Sequence, residues 1–169
     1  MTASETGRRA VDLLDLDPRL LRLTYASRAS WPLSREDLSQ LAQQARRRNR
    51  RLHVTGLLLY MDREFLQVLE GPAAAVEAVF DSIERDPRNM WVTRLSAERV
   101  LRRAFGQWAM GCFELRPQTG VEPVLEPCDG GDAPPRVRPR SAGDFSVFLD
   151  QFYARNRARG GAPGFARVG

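Results

Sequence analysis

Between Leu20 and Leu115 the apolar residues repeat with two different periods, and the order in which those periods alternate limits the fold more than any other feature of the chain. Leu21, Leu23 and Tyr25 repeat every second residue, the period of a strand from Leu20 to Tyr25. Ser34-Arg35-Glu36-Asp37 places an acid three residues after a serine, the pattern of a capping box. Leu38, Leu41, Ala42 and Ala45 follow at helical spacing. Residues 53–61 and 64–70 then read as two strands joined by a turn at Asp62-Arg63. Gly71-Pro72 opens a second helix with the stripe Val76, Val79, Phe80 and Ile83, and Asp86-Pro87 ends it, because the residue before a proline is pushed out of helical geometry. Residues 91–100 and 107–115 give two further strands. In the second of these, Trp108, Met110 and Cys112 are expected on one face, with Phe113 and Leu115 on the other. The order β-α-β-β-α-β-β predicts a ferredoxin-like α/β sandwich with one added strand and both helices on one sheet face.

Beyond this unit the composition changes. Residues 117–143 are rich in proline and glycine and read as an extended linker. Ser141 to Asp144 again resembles a capping box, and Phe145, Phe148, Leu149, Phe152 and Tyr153 make an aromatic stripe that a helix over 144–159 must bury. The predicted organisation is an N-terminal extension at 1–18, a domain at 19–116, a linker at 117–143, and a helix with its tail at 144–169. Val11, Leu13 and Leu14 give the first segment only a weak helical signal. The aromatic stripe is expected to cover the bare sheet face, a partner protein or a second copy of the chain.

Composition excludes several function classes. With 169 residues the chain can bury one real core. No apolar run approaches the ~20 residues of a membrane span, and the first residues lack the apolar core of a secretory signal. Two cysteines, Cys112 and Cys128, are too few for a disulfide scaffold, so a reduced, cytoplasmic protein is expected. One histidine, His53, argues against a histidine-rich metal site. Neither G-x-S-x-G, G-x-G-x-x-G nor G-x-x-x-x-G-K-[ST] occurs. The net charge is +5, and all 26 basic residues are arginine. The run Arg46-Arg47-Arg48-Asn49-Arg50-Arg51 keeps a phosphate or nucleic-acid surface open, although no aromatic residues are interleaved with it as a stacking platform requires.

Three polar residues fall on faces that should be buried. In EFLQVLEG (64–71), Phe65, Gln67 and Leu69 share one face, so Gln67 lies between two large apolar neighbours. An amide buried without partners costs roughly 1–3 kcal/mol. Its partner is a backbone group, a water or a ligand. Asn49 returns to the apolar face of the first helix at its inner end, where it serves either as a C-terminal cap or as a ligand contact. Tyr25 ends the predicted first strand. In this topology the first and third strands are adjacent and central, which brings tyrosine and both amides together beneath the helices. A planar ligand bearing carbonyls and ring nitrogens would suit groups that offer donor and acceptor side by side.

The stretches LTYAS (23–27), RRNRRLHVTGLLLY (47–60), EFLQVLEG (64–71), DPR (86–88) and RRAFGQWAMGCFEL (102–115) carry N-x5-TG, F-x-Q-x-LEG and W-x-M at spacings that resemble the BLUF domain, a blue-light sensor using FAD. The resemblance runs without a gap from about Leu20 to Leu115. It implies non-covalent FAD, with the isoalloxazine between the two helices. Tyr25 would be the electron and proton donor, and Gln67 the switch whose amide rotates or tautomerises to hold the flavin C4 carbonyl more tightly, moving the absorption slightly to the red. Asn49 would fix the C4=O and N3 edge, Arg88 would sit at the pyrimidine end, and Trp108 and Met110 would respond to the switch. Asn89 stands where many members carry histidine, and Arg48 occupies another variable position. Both are expected to bear on flavin packing or recovery rate.

Together these readings give a photosensor without an attached catalytic domain, signalling through a partner protein or a homo-oligomer, with no membrane and no metal. The alternative is a binding module on the same fold, using the arginine surface for nucleic acid or protein.

Overall fold

The computed structural model describes residues 19–118 and 121–129. The segment 1–18 and the helix expected at 144–159 lie outside them. Eight elements follow in order: β1 (Leu20–Ala29), α1 (Arg35–Arg51), β2 (Thr55–Met61), β3 (Glu64–Pro72), α2 (Ala73–Glu84), β4 (Asn89–Arg99), β5 (Gly111–Gln118) and β6 (Val121–Pro127). The strands form one sheet in the order β4-β1-β3-β2-β5-β6, with β2 and β5 parallel and the other neighbours antiparallel. This is the ferredoxin-like arrangement, with β1 and β3 side by side near the centre.

Local chemistry explains the element ends. Ser34 Oγ accepts from the Asp37 amide at 3.1 Å while the Asp37 carboxylate accepts from the Ser34 amide at 2.9 Å, closing the capping box. Asp62 and Arg63 both take positive φ, 47° and 69°, as a two-residue hairpin with the twist of its strands requires. Neither is a glycine, and Arg63 is held there from outside the turn. Its guanidinium donates to the carbonyls of Ala29 and Ser30, and its own carbonyl accepts from the Ala29 amide at 2.7 Å. At Gly56 the β2 and β3 backbones approach so closely that a Cβ would collide with the Val68 carbonyl oxygen. Gly56→Ala is expected to cost about 1–3 kcal/mol, the usual range for overpacking, because only backbone can yield. Chemical denaturation would measure it.

The sheet is apolar on both faces, because the near-continuous apolar runs of β2 and β3 send successive side chains to opposite sides. Helices α1 and α2 press Leu38, Ala42, Val76, Val79, Phe80 and Ile83 onto Leu23, Tyr25, Leu58, Phe65 and Leu69. On the reverse face Ala26, Leu57, Leu59, Leu66, Val68, Phe113 and Leu115 form a second cluster with Phe105.

Three expectations are corrected. The fifth strand begins at Gly111, not at residue 107, because the Trp108 amide closes a turn on the Phe105 carbonyl at 3.1 Å. Period-two alternation therefore does not reach back through Trp108 to Met110. Residues 121–127, expected within a linker, form β6 and pair antiparallel with β5. The two cysteines are joined: the β5–β6 pairing brings Cys112 and Cys128 to a Cα separation of 5.5 Å, and they form a disulfide. Pairing of β6 with the adjacent β5 is what composition alone does not reveal.

Candidate functional site

A cavity opens between α1 and α2 above the helix-covered sheet face. It is walled by Leu41, Ala45, Leu58, Phe65 and Ile83, and its polar lining is Tyr25, Gln44, Arg48, Gln67, Asp86, Arg88 and Asn89. The empty space is about 660 Å³ when its open mouth and the solvent in it are included.

Its floor follows from strand register. Tyr25 on β1 lies directly opposite Gln67 on β3, and Gln67 lies opposite Leu58 on β2. The Tyr25 hydroxyl donates to Gln67 Oε1, and Gln67 Nε2 donates to Met110 Sδ at 3.3 Å. All three side chains are buried. The amide uses its carbonyl toward one neighbour and its NH₂ toward another, so each of its two ends has a distinct partner. A thioether is a weak acceptor, which makes the second contact the softer of the two.

Burial pushes the Tyr25 phenol well above its ordinary value. The Arg48 guanidinium pulls against this and the Asp86 carboxylate adds to it. The folded state thus favours the neutral phenol. Its contribution to stability is full below the unfolded value of about 10 and is lost as pH rises through the raised folded value. An alkaline titration should leave the Tyr25 phenol un-ionised until unfolding, and Tyr25→Phe should remove the tyrosinate increment that appears only on unfolding. A full complement of tyrosinate in the folded protein at pH ~11 would contradict this burial.

The rim is charged. Asp86 holds Arg88 through Nε–Oδ1 at 3.0 Å and Nη2–Oδ2 at 2.6 Å, and Arg88 Nη1 reaches Gln44 Oε1 at 3.3 Å. Hydrogen bonding to Arg88 lowers the Asp86 carboxyl, and the same pair raises the Arg88 guanidinium. Arg48 is half-buried, and loss of solvent lowers its guanidinium. Since Asp86 balances Arg88, Arg48 leaves the rim positive. Asn89 accepts from Ser27 Oγ at 3.3 Å and donates to the Ile83 carbonyl at 3.5 Å, bracing β4 against β1 and the end of α2.

The remaining expected site residues separate. Asn49 is fully buried beside the cavity rather than lining it. Its Nδ2 donates to the Ala109 carbonyl at 2.8 Å, and its Oδ1 accepts from Arg48 Nε at 3.3 Å. Trp108, expected on Met110's face, lies on the reverse face. It stacks on Phe105 with centroids 6.4 Å apart and meets the edge of Phe113 at 5.9 Å. Gln44 and Asp86 line the cavity as well, beyond the site residues expected from the sequence. A signal existed for the former: Leu41, Gln44, Ala45 and Arg48 fall at i, i+3, i+4 and i+7 of α1.

A family model described as sensors of blue light using FAD matches residues 20–111. The chain belongs to the BLUF family. Its BLUF domain is therefore of the blue-light photosensor class, and that family uses FAD. Similar proteins include the photoactivated adenylate cyclase subunit beta of Euglena longa, 40% identical over 95 residues, which are 56% of this chain and 11% of that protein. The blue light- and temperature-regulated antirepressor BluF of Escherichia coli (strain K12) is 35% identical over 47% of this chain and 20% of its own length. This chain thus spans a small part of the curated relatives it matches. Among solved structures, the dark state of the BLUF protein BlrB superposes with a TM-score of 0.55 at 35% identity, covering 57% of this chain and 74% of that one.

The arginine run is only partly a surface. Arg46 is engaged at Met110, just before β5, and Arg48 at the cavity, whereas Arg47, Arg50 and Arg51 are exposed. Among the described residues, no helix is long and apolar enough to cross a membrane.

Proposed function

We propose that this chain holds FAD non-covalently between α1 and α2, with Tyr25, Gln67 and Met110 as its light switch, and that it passes the signal by contact. One observation carries the reading: the buried hydrogen-bond chain Tyr25–Gln67–Met110 opens onto a cavity with apolar walls and a positive, amide-lined rim. That lining fits a flat heteroaromatic ring, with Leu41, Ala45, Leu58, Phe65 and Ile83 against its faces. Gln44, Arg48, Arg88 and Asn89 would serve its polar edge, and Asn49 would act through Arg48 and Ala109.

When bound, FAD excited by blue light supplies an acceptor for one electron. Tyr25 is placed to give that electron and its hydroxyl proton, since its O–H already points at the Gln67 carbonyl. Of Tyr25, Gln67 and Met110, Gln67 alone has two ends that exchange donor and acceptor roles on a half-turn. In the rotated form Nε2 faces the phenol oxygen, and Oε1 faces the Met110 sulfur, setting two acceptors against each other. The rotated arrangement therefore lacks one protein hydrogen bond and relaxes back in darkness. Two buried arrangements of unequal energy make a self-resetting switch.

The reading is of a sensor and not an enzyme. Its output goes to a partner protein or a second copy of the chain. The test is an absorption spectrum of the purified chain, loaded with FAD, in darkness and just after blue light. A flavin band that moves slightly to the red and then returns is expected. A colourless protein that cannot be loaded would overturn the reading.

A further inference from the structure

Met110 is held from two sides. Its sulfur accepts from Gln67 Nε2 at 3.3 Å, and its main-chain carbonyl accepts from Arg46 Nε at 2.8 Å. Through Nη1 the same guanidinium pairs with the Asp129 carboxylate. The neighbouring Cys128 is bonded to Cys112, and the Cys128 amide donates to the Cys112 carbonyl at 3.0 Å. Met110, Cys112 and Cys128 are all buried. Residues 128–129 are thus joined to both sides of Gly111: covalently to Cys112, and through one arginine to Met110. Arg46 belongs to neither strand. It stands on α1, three residues before Asn49, which fixes the preceding carbonyl of Ala109.

We propose that Arg46, Asp129 and the Cys112–Cys128 bond form a reducible clasp that positions Met110 against Gln67 and ties the light switch to the end of β6. The proposal rests on the switch described above and adds to it a redox input. Arg46 is a positioning residue in this scheme. A rigid Met110 sulfur opposes the rotated amide, whose oxygen would face it. Freed to move aside, the sulfur opposes it less, so opening the clasp prolongs the lit state. Opening is thiol–disulfide exchange with a dithiol. One reductant thiolate attacks a sulfur of the pair, the Cys112–Cys128 bond breaks, and a mixed disulfide forms. The second reductant thiol then closes its own disulfide. Two electrons and two protons pass to the protein, leaving two cysteine thiols.

The experiment uses the full chain loaded with FAD, first treated with oxidised glutathione and then with or without dithiothreitol. Thiol labelling after denaturation should find no free cysteine before reduction and both after it. Dark recovery should slow roughly two- to thirtyfold on reduction, the span expected for couplings carried through packed and hydrogen-bonded side chains. Cys128→Ser should recover slowly from the start and ignore the reductant, while Arg46→Gln and Asp129→Asn should slow recovery in the oxidised protein. Retained FAD and an unchanged dark spectrum certify that each variant folds, and reduction of the unmutated chain needs no variant. Amide exchange across residues 109–113 in darkness should rise on reduction. That readout decides the clasp even if no light-induced shift occurs, an outcome that would instead remove the proposed photoswitch. Two labelled cysteines after oxidation, or exchange and recovery indifferent to reduction, would overturn the clasp.

Discussion

Gln67→Leu is expected to keep the flavin band and lose its light-induced red shift altogether. Leucine is similar in size, so the walls made by Leu41, Leu58, Phe65 and Ile83 stay in place and binding persists. What goes is the group that hydrogen-bonds both Tyr25 and Met110. The phenol then loses its acceptor in a buried site, at a cost of roughly 1–3 kcal/mol in stability. Under the proposed scheme Tyr25 would still be placed to give an electron, but no amide would remain to store the outcome as a new hydrogen-bond pattern. Met110→Leu provides the contrast. It removes a weak acceptor and leaves the amide able to rotate, so the shift should survive with a changed recovery time. A shift of undiminished size in Gln67→Leu would show that the switch lies elsewhere.

Glu70→Ala should be the most damaging single change to the fold, with an expected loss of about 3–5 kcal/mol, the range for orphaning one partner of a buried ion pair. Glu70 is completely buried at the end of β3. It accepts from Arg22 Nε at 2.7 Å, from the Ala104 amide at 3.0 Å and from the Phe105 amide at 2.9 Å. One carboxylate therefore joins β3 to β1 and to the segment that leads into Trp108 and Met110. Without it, two amides and a guanidinium lose their acceptor together, although Arg22 keeps a longer contact to Glu98 at 3.6 Å. Against a typical total of roughly 5–15 kcal/mol, that loss is large. Glu70→Gln retains an acceptor and should cost less. Urea unfolding of both variants checks the ranking. A loss below ~1 kcal/mol for the alanine variant would mean that water replaces the carboxylate, contrary to its burial.

The two predictions differ in how far the sequence announces them. An amide flanked by Phe65 and Leu69 is visibly out of place, because period-two alternation assigns it a buried face before any coordinates exist. Register, which the hairpin at Asp62-Arg63 helps to set, then brings it opposite Tyr25 as the topology implied. Glu70 gives no comparable signal. Its alternation partner Val68 is apolar, but the groups that satisfy it come from residues 22, 104 and 105, far away along the chain.

Element order, the helix-bearing face, the capping box and the Tyr25–Gln67 pair were all legible in the sequence, because each depends on local periodicity or on adjacency within a familiar strand order. The side chosen by Trp108, the strand at 121–127, the joined cysteines and the bridge from Arg46 to Met110 and Asp129 were decided only by the tertiary structure. The physical reason is shared. A turn that interrupts alternation before Gly111 resets which side each residue faces, and a strand built from weakly patterned residues forms only when a neighbour offers it an unpaired edge. Contacts made that way link residues through space with no trace in the spacing between them.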